Sequence, residues 1–254
     1  MSSRNFTDEQ LREIIALFQV YGDIVAVNRY GSGHINDTFK VDLSLGGVSV
    51  SYILQRINDS IFTRPDRVME NIARVTNHIR GKFAGAEDAT RRTLTVIPAR
   101  DGQPVARGPE GGWWRMYVFI TGAKTIDLIE NADQARKAAK AFAGFQNALA
   151  DLPAPRLFET IPNFHNTPKR YAALLASAAA DVKGRAANCQ AELEILAGWA
   201  DRYNRITNML ESGELPTRIT HNDTKINNVM LDSETDEAVC VIDLDTVMPG
   251  SVLY

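Results

Sequence analysis

Two short apolar runs near the end of the chain enclose Thr220-His221-Asn222-Asp223-Thr224-Lys225-Ile226-Asn227-Asn228, and Val241-Ile242-Asp243-Leu244-Asp245 follows. Asp223 offers a carboxylate that can hold or deprotonate a hydroxyl. Asn228, five positions on, offers an amide oxygen, and Asp243 offers a second carboxylate. That set suits phosphoryl transfer, which needs a group to orient the attacking hydroxyl and metal ions to offset charge on the transferred group. One loop can aim Asp223 at an acceptor and Asn228 at a metal while a hairpin returns Asp243 beside them. The alternative is a polar turn that caps the strands and does nothing else.

The rest of the chain must position this loop. Thr7-Asp8-Glu9-Gln10 has the form of a capping box, and Leu11, Ile14, Ile15 and Phe18 follow at helical spacing, so the chain opens with an amphipathic helix. Ile24–Val27, Thr38–Leu43 and Val48–Leu54 read as antiparallel strands, the last two joined by a turn at Gly46-Gly47. Pro65 suits a first helical position, and Val68, Met69, Ile72, Val75 and Ile79 carry that helix to near Gly81. Leu94–Ile97 and Trp113–Ile120 are further strands, separated by a glycine- and proline-bearing loop. Alanine-rich helices then span 133–149, 168–187 and 190–210. Short strands at Arg218–Thr220, Val229–Leu231 and Ala238–Ile242 follow. The expected fold class is α+β: a β-rich lobe over 1–119 with one inserted helix, and a mainly helical lobe over 120–254.

Bulk properties narrow the partners. A net charge of -3, with Lys and Arg scattered, supplies no basic face for nucleic acid. No apolar run approaches the roughly 20 residues of a membrane helix. The polar start Met1-Ser2-Ser3-Arg4-Asn5 lacks the apolar core of a secretion signal, so a cytoplasmic location is expected. Cys189 and Cys240 are too few for a disulfide framework and read as reduced packing residues.

Gly31, Ser32 and Gly33 stand between two strand candidates, where backbone N–H groups could approach phosphates; a plain hairpin turn is the alternative. The segment is not a P-loop, because the lysine and the following helix are absent.

His221-x-Asp223-x-Lys225-x-x-Asn228 resembles the catalytic loop of the protein-kinase and aminoglycoside-phosphotransferase superfamily, and Asp243 falls where its metal-binding aspartate lies. The resemblance implies a bilobal protein-kinase-like fold, ATP and Mg²⁺ as cofactors, Asp223 as catalytic base and Asn228 and Asp243 as metal ligands. Lys225 would contact the γ-phosphate, and His221 would order the loop. Where kinases carry a lysine on the strand after the glycine loop, this chain has Gln55-Arg56. Arg56 is therefore expected to grip phosphate, paired with Glu70 on the next helix, although an ordinary surface arginine and a solvated glutamate would read the same. The stretch around Tyr117 and Phe119 falls where a kinase hinge passes the adenine, and core strand residues are its alternative. A protein acceptor is disfavoured, since Asp243-Leu244-Asp245 lacks the Phe-Gly pair and no Ala-Pro-Glu follows.

Gly-His-Ile-Asn-Asp-Thr-Phe at 33–39, Tyr-Ile-Leu-Gln-Arg-Ile-Asn at 52–58, Val-Met-Glu-Asn-Ile at 68–72 and Ile-Pro-Asn-Phe-His-Asn-Thr-Pro-Lys-Arg-Tyr at 161–171 bring the resemblance to the N-acetylhexosamine 1-kinase branch. It implies a small-molecule amino-sugar substrate phosphorylated on its anomeric hydroxyl. Asp37, His165, Asn166, Thr167 and Arg170 are the candidates for holding that sugar; a capped loop entering the helix at Pro168 is the other reading. That branch continues past Pro249 into an Asp-Phe-Gly-Asp stretch and further helices, whereas 11 residues follow Asp243 here. Part of the acceptor site would then lie on a missing C-terminal segment. The competing expectations are a pseudokinase that binds nucleotide without transfer, and a kinase for another small acceptor such as choline, homoserine or an aminoglycoside.

Overall fold

The computed structural model describes residues 5–31, 33, 35–154 and 156–253. Helix α1 (Asp8–Ile15) begins at Thr7, whose side chain accepts from the Gln10 N–H while the Gln10 amide accepts from the Thr7 N–H. Strands β1 (Asp23–Arg29), β2 (Asp37–Leu45) and β3 (Val48–Ile57) form an antiparallel meander, and helix α2 (Pro65–Lys82) follows with Pro65 in its first turn. Short strands β4 (Val96–Ile97) and β5 (Ala106–Arg107) precede β6 (Trp113–Val118), which pairs with β3 and completes the sheet in the order β1-β2-β3-β6-β4. The expected strand at 94–97 shortens to two residues.

Side-chain alternation gives this sheet two different faces. Phe39, Val41, Leu43, Leu54, Trp114 and Met116 pack with Leu11, Ile14 and Ile15 of α1. On the other face, Ile53, Ile57 and Tyr117 join Met69 and Ile72 of α2. That second core runs on without interruption into Phe142, Phe145, Val229, Leu231, Leu244 and Val247, so the two halves of the chain share one apolar interior.

After β7 (Ala123–Lys124) come α3 (Ala132–Ala148), α4 (Thr167–Ala180), α5 (Gln190–Ala197) and α6 (Arg205–Glu211). Two expected helices are shorter than their alanine-rich spacing suggests. The first stops at Asp181, which turns left-handed (φ 35°) while its carboxylate accepts from the N–H groups of Arg185 and Ala186. The second breaks at Gly198 and resumes at Arg205. Cys240 is buried, its thiol pushed up to about 12 by burial, whereas Cys189 is exposed and is not the packing residue expected. Among the described residues, no helix is long and apolar enough to cross a membrane.

The last strands decide where the chemistry sits. β8 (Arg218–Thr220) pairs with β11 (Met248–Gly250), and β9 (Val229–Asp232) pairs with β10 (Ala238–Val241). The segment 221–228 links β8 to β9, and 242–247 links β10 to β11. Two pairs joined in this way bring the two connecting loops side by side. Gly250 permits the close approach, because a Cβ there would lie 2.7 Å from both Asn222 Oδ1 and Thr220 Oγ1.

α2 is tied to the second loop by Asn71. Its Nδ2 donates to the carbonyls of Phe158 (2.8 Å) and Val247 (3.1 Å), and its Oδ1 accepts from the Phe158 N–H (3.0 Å). Asn71→Ala strands all three backbone groups in a buried place, so unfolding free energy should fall by about 2 to 4 kcal/mol in urea titration. A fall below about 0.5 kcal/mol would show that the helix is held by apolar packing alone.

Candidate active site

His221, Asn222, Asp223 and Asn228 each have defined partners. Buried His221 donates from Nε2 to the Ile242 carbonyl (2.8 Å), and its Nδ1 accepts from the Asp223 N–H (3.3 Å). Those two partners assign the neutral ring with its proton on Nε2. Phe142 and Phe145 of α3 meet the imidazole edge-on, at 5.3 and 5.8 Å between centroids. Burial among them lowers the His221 pKa. Asn222 is left-handed (φ 64°), a conformation asparagine tolerates better than most residues. Its Nδ2 donates to the carbonyls of Thr220, Thr246 and Met248, and the Thr246 hydroxyl donates to the His221 carbonyl. These bonds fasten the two loops to each other.

Asp223 projects from this frame with its carboxylate half-buried. Asn228 Nδ2 donates to its carbonyl (2.9 Å) and to its Oδ2 (3.1 Å), and Lys225 Nζ lies 3.1 Å from the same Oδ2. Two donors on one oxygen orient the group and leave Oδ1 as the oxygen to meet an acceptor. Lys225 is half-exposed. The Asn228 carbonyl accepts from the Ile242 N–H (2.9 Å), which sets Asp243 next to this residue.

Asp243 is itself left-handed (φ 58°) and half-buried. Burial, with the Asp245 carboxylate two residues on, pushes its pKa up to about 6. A part-buried carboxylate beside an amide whose Nδ2 is committed to Asp223 offers oxygen donors that suit a hard divalent cation. Asp243 and Asn228 are the residues that would hold it.

Other expectations meet the geometry differently. The glycine loop joins β1 to β2, with Gly31 left-handed (φ 79°) and open space where a Cβ of Gly31 or Gly33 would stand; Ser32 lies outside the described residues. Arg56 does not pair with Glu70. Strand parity puts Arg56 beside Trp114, on the α1 face, where Asp59 and Glu110 lie 4.0 Å away, while Glu70 is exposed on α2. Gln55 takes the opposite face. The backbone donors expected at the hinge are also engaged: the Val118 N–H donates to the Thr95 carbonyl and the Phe119 N–H to the Ser51 carbonyl, and Tyr117 lies within the ladder between β3 and β4. What Phe119 offers is its ring, set edge-on to Tyr30 (5.6 Å) with Lys40 Nζ 5.0 Å above it.

Of the sugar candidates, Asp37 is separated from the others. It stands on the α1 face of β2, 3.3 Å from Arg29. His165 Nε2 donates to the Asn222 carbonyl (2.9 Å), which carries its loop up to the residue before Asp223. Asn166 caps α4 by accepting from the Lys169 N–H, Thr167 is the first residue of that helix, and Arg170 donates to the Phe164 carbonyl. His165 and Asn166 line a cavity of about 240 Å³ together with Glu159, Asn163 and Asn222. Thr167 and Arg170 lie outside its walls.

The group sequence reasoning missed is Arg115 with Asp245. Arg115 of β6 stands opposite Gln55, and it forms a two-bond pair with Asp245 through Nη1–Oδ1 and Nη2–Oδ2, the second at 3.0 Å. The side chains are 2% and 3% exposed. Burial alone would lower the Arg115 pKa, and the Asp245 carboxylate more than reverses this, leaving it above its ordinary value. Gln55 Oε1 accepts from Arg115 Nε (2.9 Å), and Asn36, at the end of the glycine loop, donates to Asp245 Oδ2 (2.8 Å). A lone arginine amid Trp, Met, Tyr and Val in a strand was the available signal.

A five-stranded antiparallel path with one helix on its inner face, above paired loops carrying Asp223, Asn228 and Asp243, defines a protein-kinase-like fold. The chain matches the phosphotransferase enzyme family over residues 26–254 and belongs to it. It is therefore a phosphotransferase with a hydroxyl group as acceptor. Among solved structures it is similar to spectinomycin phosphotransferase APH(9)-Ia in complex with ADP and spectinomycin, with a TM-score of 0.61 and 13% identity over 97% of this chain and 71% of that one. It is similar also to an aminoglycoside phosphotransferase from Alicyclobacillus acidocaldarius (0.55, 13%, 99% and 69%) and to an ethanolamine kinase from Plasmodium vivax (0.50, 14%, 89% and 56%). At these identities the likeness is one of fold.

The lowered pKa of His221 gives a pH test. A histidine held neutral in the fold takes up a proton more readily when unfolded, so its stabilisation is full above the unfolded value of about 6.5 and declines as pH falls below it. The stability gap between the wild type and His221→Gln should narrow from pH 7 to pH 5 in denaturant titrations. A gap that stays constant or widens would mean that the ring is charged in the fold.

Proposed function

We propose that this chain transfers the γ-phosphoryl group of ATP, with Mg²⁺, to a hydroxyl of a small molecule, and that the acceptor is the anomeric hydroxyl of an N-acetylhexosamine. The observation that carries the reaction is Asp223 held through one oxygen by Asn228 and Lys225, with Asp243 set beside them through the Ile242 to Asn228 bond. Asp223 Oδ1 accepts a hydrogen bond from the acceptor hydroxyl and takes its proton as the oxygen attacks. Lys225 turns from Asp223 toward the transferred phosphoryl group. Asn228 and Asp243 would hold the metal, which when bound would offset charge on the nucleotide's phosphates. His221 stays neutral and keeps the loop in register.

Two considerations support the acceptor assignment. The motifs at 33–39, 52–58, 68–72 and 161–171 resemble those of N-acetylhexosamine 1-kinases. The cavity bordered by Glu159, Asn163, His165 and Asn166 offers donors and acceptors for hydroxyl and acetamido groups. The same reading assigns the nucleotide to the lobe of residues 1–119 and the acceptor to residues 120–254, and expects the reaction in the cytoplasm, where ATP is supplied.

The test is ADP release by the 254-residue chain with ATP, Mg²⁺ and a panel of N-acetylglucosamine, N-acetylgalactosamine, plain hexoses, choline, ethanolamine and spectinomycin. Turnover should depend on an N-acetylhexosamine and fall by about 10² to 10⁴-fold in Asp223→Asn. Turnover with another acceptor alone would replace the sugar assignment. ATP binding with no turnover on any acceptor would favour a nucleotide-binding role.

A further inference from the structure

We propose that Arg115 is a positioning residue for the nucleotide: through Asp245 it sets the loop bearing Asp243, and through Asp245 and Asn36 it sets the glycine loop. The role rests on the phosphotransferase reading above and goes beyond it, because it assigns to β6 a task that kinases give to a lysine on the strand after the glycine loop and a glutamate on the following helix.

Strand parity excludes the obvious substitutes. Arg56 faces α1, and Glu70 faces solvent. The β3 residue that faces the cleft is Gln55, which is uncharged and is itself engaged with Arg115 Nε and the Thr38 hydroxyl. Thr38, Gln55 and Arg115 form one row across β2, β3 and β6, so the cation in this row comes from β6. From there it reaches Asp245, two residues beyond the metal-binding candidate Asp243.

Charge explains why an ion pair occupies this place. Asp223, Asp243 and Asp245 cluster in the two loops, and a nucleotide triphosphate would add further negative charge. An arginine stays charged under all ordinary conditions, and its planar fork holds a carboxylate in one orientation by two bonds. An apolar pair of similar volume would serve stability as well or better. It would supply neither a cation to this row nor an acceptor for Asn36. Met69 Sδ, 3.8 Å from Nη1, packs against the same guanidinium, so α2, the sheet and the loop after β10 meet at this residue.

The test compares wild type with Arg115→Met, Arg115→Lys and the neutral pair Arg115→Met with Asp245→Asn, reading unfolding in urea and, separately, MgATP affinity by calorimetry, which needs no acceptor. Arg115→Met should lose at least 10-fold in MgATP affinity and be destabilised. The neutral pair should recover most of the stability and none of the affinity, and Arg115→Lys should recover affinity in part, since it restores the charge without the fork. Recovery of wild-type affinity by the neutral pair would overturn the proposal and reduce the ion pair to packing. Absence of MgATP binding in the wild type would instead overturn the nucleotide reading, and this role with it.

Discussion

Arg115 and Asp245 face each other with almost no access to water, and the cleft is organised around that fact. Two ions taken out of water need their remaining donors and acceptors met, or the burial is strongly unfavourable. Gln55 meets one guanidinium N–H, and Asn36 meets the carboxylate from the other side. The two ions and the two groups that satisfy them lie on four different pieces of the chain: β6, the loop after β10, β3 and the end of the glycine loop. The demand for satisfaction converts one ion pair into a statement about where four segments must be.

The second organising element is the pair of small strand ladders, β8 with β11 and β9 with β10. They are too short to be stable alone. They persist because Val229, Leu231, Val241 and Val247 enter the larger core and because Asn222 and Thr246 bond across the loops. Two residues there, Asn222 and Asp243, take left-handed conformations. Backbone cost at the site is thus balanced by apolar burial just outside it, an arrangement common where side chains must be held for chemistry.

Much of this was legible in the order of residues. The capping box at Thr7, the proline at the start of α2 and the alternation in β2 mark elements whose local chemistry agrees with their surroundings. The spacing of His221, Asp223, Asn228 and Asp243 could be read because both loops are short and their ends are fixed by strands. The strand that supplies the buried cation could not. β3 is apolar on both faces at Ile53 and Leu54, so pattern alone does not say which of Gln55 and Arg56 looks into the cleft; the pairing with β6 decides it. That the N–H groups of Val118 and Phe119 are already engaged was hidden for a similar reason, since their partners Thr95 and Ser51 are remote in sequence. Alanine periodicity also overestimated two helices, because alanine favours helix at every position and does not mark where one stops.

Asn71 carries a further consequence. A helix that follows the third strand of a kinase-like sheet is often a lever, swinging to switch the site on and off through a single ion pair. Here the corresponding helix is riveted to the chain at Phe158 and Val247 by three hydrogen bonds from one buried amide, and Met69 on it rests against the Arg115 guanidinium. Displacing it would break all of these contacts together, so α2 cannot shift without carrying the loop that bears Asp243.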